Sequence, residues 1–437
     1  MNSELIQTLP IIAGAIAIMA VMVSGMHIAT GLLSLGLIGI HFLLPRTIIG
    51  DAGYQAWISI DNATLSAVVL YVLMGEMLLH SGMGERAFGA LDKLLAGLPG
   101  SLLHATIGFG GLFASVSGSS VASAALLGTV TVPPMDQRGY NRRLSYGAVA
   151  GGGTLGILIP PSIIMILYGY LGNVSIAALF MAGVVPGLIL IGAFSGYIAL
   201  RVMLKPSLDS AHDSKPTIAT RISALPDLIP LVVLATIVFV GIYTGVWTPT
   251  EAAAGGCVAT LAFLVSYRKF TLFTLQKALQ GTLLTSSMIF MILVGSSIIA
   301  YVANFLAVPT TLIGLIEDSN WGRYEVLIAC CAIFFLLGCF VDGLSISIIT
   351  VPIILPVMTS VGFDPVWFGV VFTILIEVSL ITPPLGMNLF VINGVVPGSN
   401  FRDIVLGTAP YFMILLAMIG LLALRPDIAL WLPGQLR

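Results

Sequence analysis

Charge is the first thing this sequence lacks. Charged residues make up 8% of its 437 positions, against roughly 25% in a soluble globular protein. Apolar residues make up 58%, and mean hydropathy is +1.08. An ordinary soluble enzyme and a disordered chain are both excluded. The 17 basic and 19 acidic residues leave a net charge of −2. No basic excess exists to hold a polyanion, so no nucleic-acid partner is expected. Cysteine is also scarce. Cys257, Cys330, Cys331 and Cys339 lie in apolar runs without metal-ligand spacing, so neither disulfides nor a metal centre is expected. The opening MNSELIQTLP has no basic segment of the cleaved-signal kind, and the first apolar run is taken as a retained span. What remains is an all-α polytopic membrane protein of the lipid bilayer. At about 20 residues per span, the chain has room for roughly ten to fifteen.

Four apolar stretches are unusual. The runs 99–116 and 119–134 are joined by Ser117-Gly118-Ser119-Ser120, and the runs 325–341 and 344–359 by Asp342-Gly343. Each pair predicts a helical hairpin. Two long runs, 145–171 and 365–395, are interrupted: one by Gly151-Gly152-Gly153-Thr154-Leu155-Gly156 before Pro160-Pro161, the other by Thr382-Pro383-Pro384-Leu385-Gly386. The two proline pairs are 223 residues apart, as are Met135 and Met358. The expected organisation is a first repeat over 1–204, a polar linker over 205–227 and a second repeat over 228–437. Each repeat carries a hairpin followed by a broken helix. Paired interrupted segments are the sequence mark of a secondary transporter's binding region.

Loop charge sets the expected sidedness. With five true crossings in each half, the second repeat is inverted. The loops sharing a side with Arg138, Arg142 and Arg143 then hold 13 of the 17 basic residues, leaving Arg46, Arg323, Arg425 and Arg437 on the other. The positive-inside rule places the basic side in the cytoplasm and both termini outside. Trp57, Trp247, Trp321, Trp367 and Trp431 fall in or beside the outer loops, where interfacial anchors sit. Segments 84–96 and 270–280 are amphipathic and are expected to lie along the membrane surface.

A hairpin tip inside a membrane exposes backbone groups that lipid cannot satisfy, so the tips must line a cavity or bind something. Ser117, Ser119, Ser120, Gly153 and Thr154 suit one Na⁺ site, and Asp342, Gly343, Ser345, Ser347 and Thr382 a second. Small residues there also allow close helix packing. Ser119, Ser120, Pro160, Pro161, Pro383 and Asn388 are the candidate substrate contacts. Glu76, Glu251, Glu377 and Asp342 are the ionisable residues within spans. Asp342 and Glu377 flank the second break, Glu251 follows Thr248-Pro249-Thr250 as a capping residue would, and Glu76 sits near a span end. No Lys or Arg lies deep in a span, so an anion must be held by helix dipoles, hydroxyls and co-bound cations.

Four separated motifs carry a resemblance. Phe113-Ala-Ser-Val-Ser-Gly-Ser-Ser120, Gly153-Thr-Leu-Gly-Ile-Leu-Ile-Pro-Pro-Ser162, Thr248-Pro-Thr-Glu-Ala-Ala-Ala254 and Ile381-Thr-Pro-Pro-Leu-Gly-Met-Asn-Leu-Phe-Val391 closely resemble the large membrane subunit of tripartite ATP-independent periplasmic (TRAP) transporters. The resemblance covers nearly the whole chain in order. It implies a Na⁺-coupled importer of organic acids in the bacterial inner membrane, with no enzymatic activity. It also implies a small four-helix membrane subunit and a periplasmic substrate-binding protein as partners. The implied fold is an elevator with re-entrant hairpins in the moving part. Gly152 stands where relatives often have Ser, and Gly343-Leu344 where hydroxyl residues are common. A stand-alone anion symporter of related hairpin fold remains the alternative.

Overall fold

A computed structural model describes residues 13–14, 16–21, 24–45, 50–206, 216–338, 341–384 and 386–435. Arg46, His212, Cys339, Leu385 and Arg437 lie outside the described residues, as does part of the expected linker. Among the described residues every regular element is helical. The first half runs α1 (Ile28–Leu43), α2 (Asp51–Ile58), α3 (Thr64–Leu79) and α4 (Met83–Leu95). A hairpin follows, α5 (Ser101–Ser117) and α6 (Ser120–Gln137), then a broken pair, α7 (Arg142–Leu158) and α8 (Ile163–Gly172), then α9 (Ile176–Leu204). The short α10 (Ile218–Ala224) leads to α11 (Ile229–Tyr243), α12 (Pro249–Ser266), α13 (Leu272–Phe305) and α14 (Val308–Asp318). The pattern then recurs: a hairpin of α15 (Arg323–Gly338) and α16 (Gly343–Ser360), a broken pair of α17 (Pro365–Leu380) and α18 (Met387–Val395), then α19 (Phe401–Leu424) and α20 (Asp427–Leu430).

The recurrence extends to the caps. Ser119 caps α6 and Asp342 caps α16, 223 residues apart. Asn141 caps α7 and Asp364 caps α17 at the same offset. Each side-chain oxygen accepts from a backbone N–H that the first helical turn leaves without a partner. The two central helices are buried on all sides, as helices with no solvent-facing stripe must be. Every residue from Leu144 to Leu158 of α7 is buried, and every residue from Trp367 to Leu380 of α17. By contrast α13 leaves Leu272, Leu283 and Leu284 open, the apolar exterior a bilayer would cover.

Among the described residues, seven helices are long and apolar enough to cross a membrane, or eight if α3 and α4 count as one span bent by 68°. Five crossings are expected in each half, and the first expected span, 8–25, lies partly outside the described residues. The difference arises partly from length: α1, α5 and α17 are apolar but have 16, 17 and 16 residues. At 1.5 Å per residue each rises about 24–26 Å, short of a ~30 Å hydrocarbon core.

Four local expectations change. The first break falls at Ile159–Ser162, and the glycine run before it is helical. Glycine costs an interior helix turn only about 1 kcal/mol, and here dense packing offsets it. The amphipathic segment 270–280 is the start of α13, a single 34-residue helix, because Gly281 alone does not break it. Trp367 is buried and donates its indole N–H to Leu422 O at 3.0 Å, so it is a core residue. Within the expected linker, residues 218–224 form α10, from which Arg221 donates to Ala96 O at 2.7 Å.

Candidate functional site

The two hairpin tips meet. Ser117, Gly118, Ser119 and Ser120 line one cavity of about 460 Å³ together with Asp342, Gly343 and Leu344. Ile163 and Ile164, just past the first break, and Met387, just past the second, close its sides. Glu76 of α3 and Thr285 and Met288 of α13 form the opposing wall. The cavity therefore lies between the repeated hairpins and two helices, α3 and α13, one preceding the hairpin in each half.

Glycines allow the first tip to approach α7. A methyl group at Gly156 would sit 3.0 Å from Ser119 O and 2.9 Å from Ser123 Oγ. One at Gly153 would meet Ala124 Cβ at 3.0 Å, and one at Gly152 would meet Thr106 O at 3.1 Å. Gly75 of α3 supports the tip from the other side, with Ser117 O 3.2 Å from where its Cβ would be. The run Gly151–Gly156 thus packs the hairpin, and it does so while presenting polar backbone. Ser120 Oγ donates to Gly153 O at 2.9 Å, and Asn388 Nδ2 donates to Ser120 Oγ at 2.6 Å.

Of the first predicted cation set, Ser117, Ser119 and Ser120 line the cavity. Ser117 Oγ pairs with Ser123 Oγ at 3.1 Å, and Ser119 Oγ accepts from Ala122 N at 3.3 Å. Gly153 joins the set through Ser120. Thr154 is enclosed in α7, where its hydroxyl donates to Gly151 O at 2.7 Å. Of the second set, Asp342 and Gly343 line the cavity. Asp342 accepts from Ser345 N at 3.0 Å and from Ser345 Oγ at 2.5 Å. Ser347 donates to Gly343 O at 2.6 Å, and Thr382 donates to Val378 O at 2.5 Å. These hydroxyl oxygens keep lone pairs free, which is what a hard cation takes. Among the described residues no group of three or more His, Cys, Asp or Glu could hold a metal.

The substrate candidates divide. Ser119 and Ser120 face the cavity. Pro160 and Pro161 are buried in the first break, with Pro161 O against Gly118, whereas Pro383 is exposed. Both Pro–Pro bonds are cis. Asn388 is fully enclosed and binds Ser120. Glu251 closes a capping box with Thr248, so it belongs to the α12 start. Glu377 is fully buried away from the cavity lining, and neither carboxyl oxygen has a partner among the described residues.

Sequence reasoning underweighted Glu76 and did not single out Thr285 or Met288. Glu76 pairs with His80 at 3.4 Å, one helical turn on, and its carboxylate fills the space beside Gly281. A glutamate and a histidine four apart in an apolar run was the available signal. Thr285 and Met288 carried none, because only the fold brings α13 to the tips.

The family model for the tripartite ATP-independent periplasmic transporter, DctM component, matches residues 12–428. The chain is 31% identical over 440 residues to the C4-dicarboxylate TRAP transporter large permease protein DctM of Rhodobacter capsulatus, covering 96% of this chain and 98% of that one. It is 29% identical over 435 residues to the isethionate TRAP transporter permease protein DctMQ of Oleidesulfovibrio alaskensis, covering 99% of this chain and 67% of the relative. The fold is similar to that of the Alcanivorax borkumensis YdaH transporter, at a TM-score of 0.59 and 15% identity over 90% of this chain and 89% of that one. These relatives are named as transporters or permeases, and no enzyme is among them. The chain belongs to the DctM family of TRAP transporter large permease subunits.

Proposed function

We propose that this chain is the permease of a Na⁺-coupled, binding-protein-dependent importer of organic acid anions, working by an elevator motion in the bacterial inner membrane. The observation that carries the reading is the single cavity lined by both hairpin tips. Two helix starts, α6 and α16, open onto it, and each presents the partial positive end of a helix dipole. No Lys or Arg lines the cavity, while Glu76 and Asp342 do. An organic anion entering there needs charge compensation, and co-bound Na⁺ on hydroxyl and carbonyl oxygens supplies it. Transport follows if the hairpins and broken helices shift as one body against α3 and α13, because solute and cation then travel together.

The basic loops support a cytoplasmic face at the hairpin base. There Arg138 pairs with Asp92 at 2.7 Å, Arg142 with Asp136 at 3.2 Å and Arg143 with Asp403 at 2.7 Å. The partners are a small four-helix membrane subunit and a periplasmic binding protein. The fused DctMQ name of one relative fits a permease that works beside a second membrane component. Reconstitution in proteoliposomes tests the whole reading. Uptake should require a Na⁺ gradient, the small subunit and the loaded binding protein. Saturable Na⁺-driven uptake by this chain alone would establish the stand-alone symporter instead.

A further inference from the structure

A cation site built from hydroxyls and carbonyls drives transport only if its occupancy changes something elsewhere. One buried contact is placed to carry that change. Asn388, on the first turn of α18, donates Nδ2–H to Ser120 Oγ at 2.6 Å, joining residues 268 apart. Ser120 Oγ donates its own proton to Gly153 O at 2.9 Å. The hydroxyl therefore spends its proton on a carbonyl of the first cation region and one lone pair on Asn388. The other end of the carboxamide, Oδ1, is buried with no hydrogen-bond partner among the described residues. Such an orphan costs about 1–3 kcal/mol, and its presence calls for a reason.

We propose that Asn388 is a positioning residue coupling cation occupancy at the first hairpin tip to the second broken helix, by reversing its hydrogen bond with Ser120 when a cation takes Gly153 O. The inference rests on the Na⁺-coupled reading above. A cation on Gly153 O repels the serine proton and draws the Oγ lone pairs toward itself. The proton must then point elsewhere, and Nδ2–H loses its acceptor. A half-turn of the carboxamide about its terminal bond brings Oδ1 round to accept that proton. Oδ1 gains a partner with no covalent bond broken, while Nδ2–H swings into the buried place that Oδ1 left, and the need of that donor for an acceptor is the force that shifts α18. Asparagine suits the task because it carries donor and acceptor on one pivot. Its neighbour Met387 lines the solute cavity, so the turn is felt one residue from the solute.

The experiment is Na⁺-dependent solute uptake in proteoliposomes containing the small subunit and loaded binding protein. It compares wild type with Asn388→Leu, Asn388→Asp, Ser120→Ala and the Asn388→Leu/Ser120→Ala double variant. Asn388→Leu should raise the half-saturating Na⁺ concentration about fivefold or more. It should also lower the Hill slope, with solute KM at saturating Na⁺ moving less. Asn388→Asp can only accept, so it should shift half-saturation the opposite way. The double variant should match the worse single, because both act through one contact. Additive losses, or an unchanged Na⁺ curve for Asn388→Leu beside a Na⁺-dependent wild type, would overturn the coupling alone. Wild-type uptake indifferent to Na⁺ would overturn the coupling together with the reading beneath it. Thermal unfolding of the purified variants identifies any that misfold, and where Asn388→Leu does, Asn388→Asp decides.

Discussion

Ser119 and Asp342 hold the same position in two copies of one substructure. Each caps an 18-residue helix, they stand 223 residues apart, and both line the cavity where the hairpin tips meet. They differ in charge. The serine offers a neutral oxygen to Ala122 N, while the aspartate offers a carboxylate to Ser345 N and Ser345 Oγ. The second tip therefore carries a negative charge that the first lacks.

That asymmetry separates capping from cation binding at Asp342. Asp342→Asn keeps an oxygen for the cap, and stability should change by less than about 0.5 kcal/mol. Asp342→Ala removes the cap, at a cost of about 1 kcal/mol. Both should raise the Na⁺ concentration for half-maximal uptake, since both delete the charge. Thermal unfolding and Na⁺ titration on the same preparations check this. Equal unfolding temperatures for the two variants would reject the capping argument.

Ser119→Ala and Thr382→Ala probe hydroxyls at two helix breaks. Thr382 already donates to Val378 O, so its oxygen has lone pairs to offer but no spare proton. Each substitution should weaken apparent Na⁺ affinity by about threefold to tenfold, as loss of one neutral oxygen ligand would. Uptake against Na⁺ concentration reads it. Unchanged curves in both variants would leave the sites to backbone carbonyls alone.

Much of this was legible in the sequence because a duplicated pattern is self-checking. The polar turns, the proline pairs and Met135 and Met358 repeat at one offset, and tertiary packing left their local signals intact. Other features were not legible. The glycine run before Pro160 looks like a break, yet it is helical, because its neighbours Ser119, Ala124 and Thr106 sit where side chains would be. Trp367 has the sequence position of an interfacial anchor but packs in the core, stacked on Phe363 at 4.7 Å. The Asn388–Ser120 contact spans both halves, and local sequence carries no information about such a pair.

Close backbone approach at Gly110 gives a stability prediction. A methyl there would lie 2.5 Å from Gly152 O and 2.8 Å from its Cα. Those are backbone atoms of α7, so α5 and α7 would have to separate. Gly110→Ala should cost about 1–3 kcal/mol through overpacking, despite alanine's better helix propensity. Gly192→Ala, where nothing lies within 4 Å, is the control and should be neutral or stabilising. Thermal unfolding of both in detergent compares them, and equal stability would refute the packing account.

Sidedness can be tested by labelling single cysteines in a background where the native ones are replaced. Gln137, Lys269 and Ser319 are exposed. Cysteine at 137 and at 269 should react with an impermeant maleimide only after the membrane is opened. Cysteine at 319 should react in intact spheroplasts. The expectation follows from the uneven distribution of Lys and Arg between the two sets of loops. Ready labelling at 137 from outside would reverse the orientation.

Glu76 is placed to influence what the cavity accepts. Its carboxylate lines the same space as Asp342, and no Lys or Arg lines it. His80 at 3.4 Å is its ion-pair partner when protonated, and both side chains are partly open to solvent. At a separation of about 7 Å and an effective dielectric near 20, a carboxylate opposes an anionic solute by about 2 kcal/mol before screening. Solvent access and salt reduce that. Glu76→Gln should therefore lower the solute concentration for half-maximal uptake by about threefold to tenfold for an organic anion, measured at saturating Na⁺. For a solute that also carries an ammonium group the sign reverses, because Glu76 then attracts one end of it. Comparing a dicarboxylate with a zwitterion of similar size, each delivered by a binding protein that accepts it, reads both signs in one experiment. Equal effects on the two solutes would place Glu76 outside the transport path and return its carboxylate to packing against Gly281.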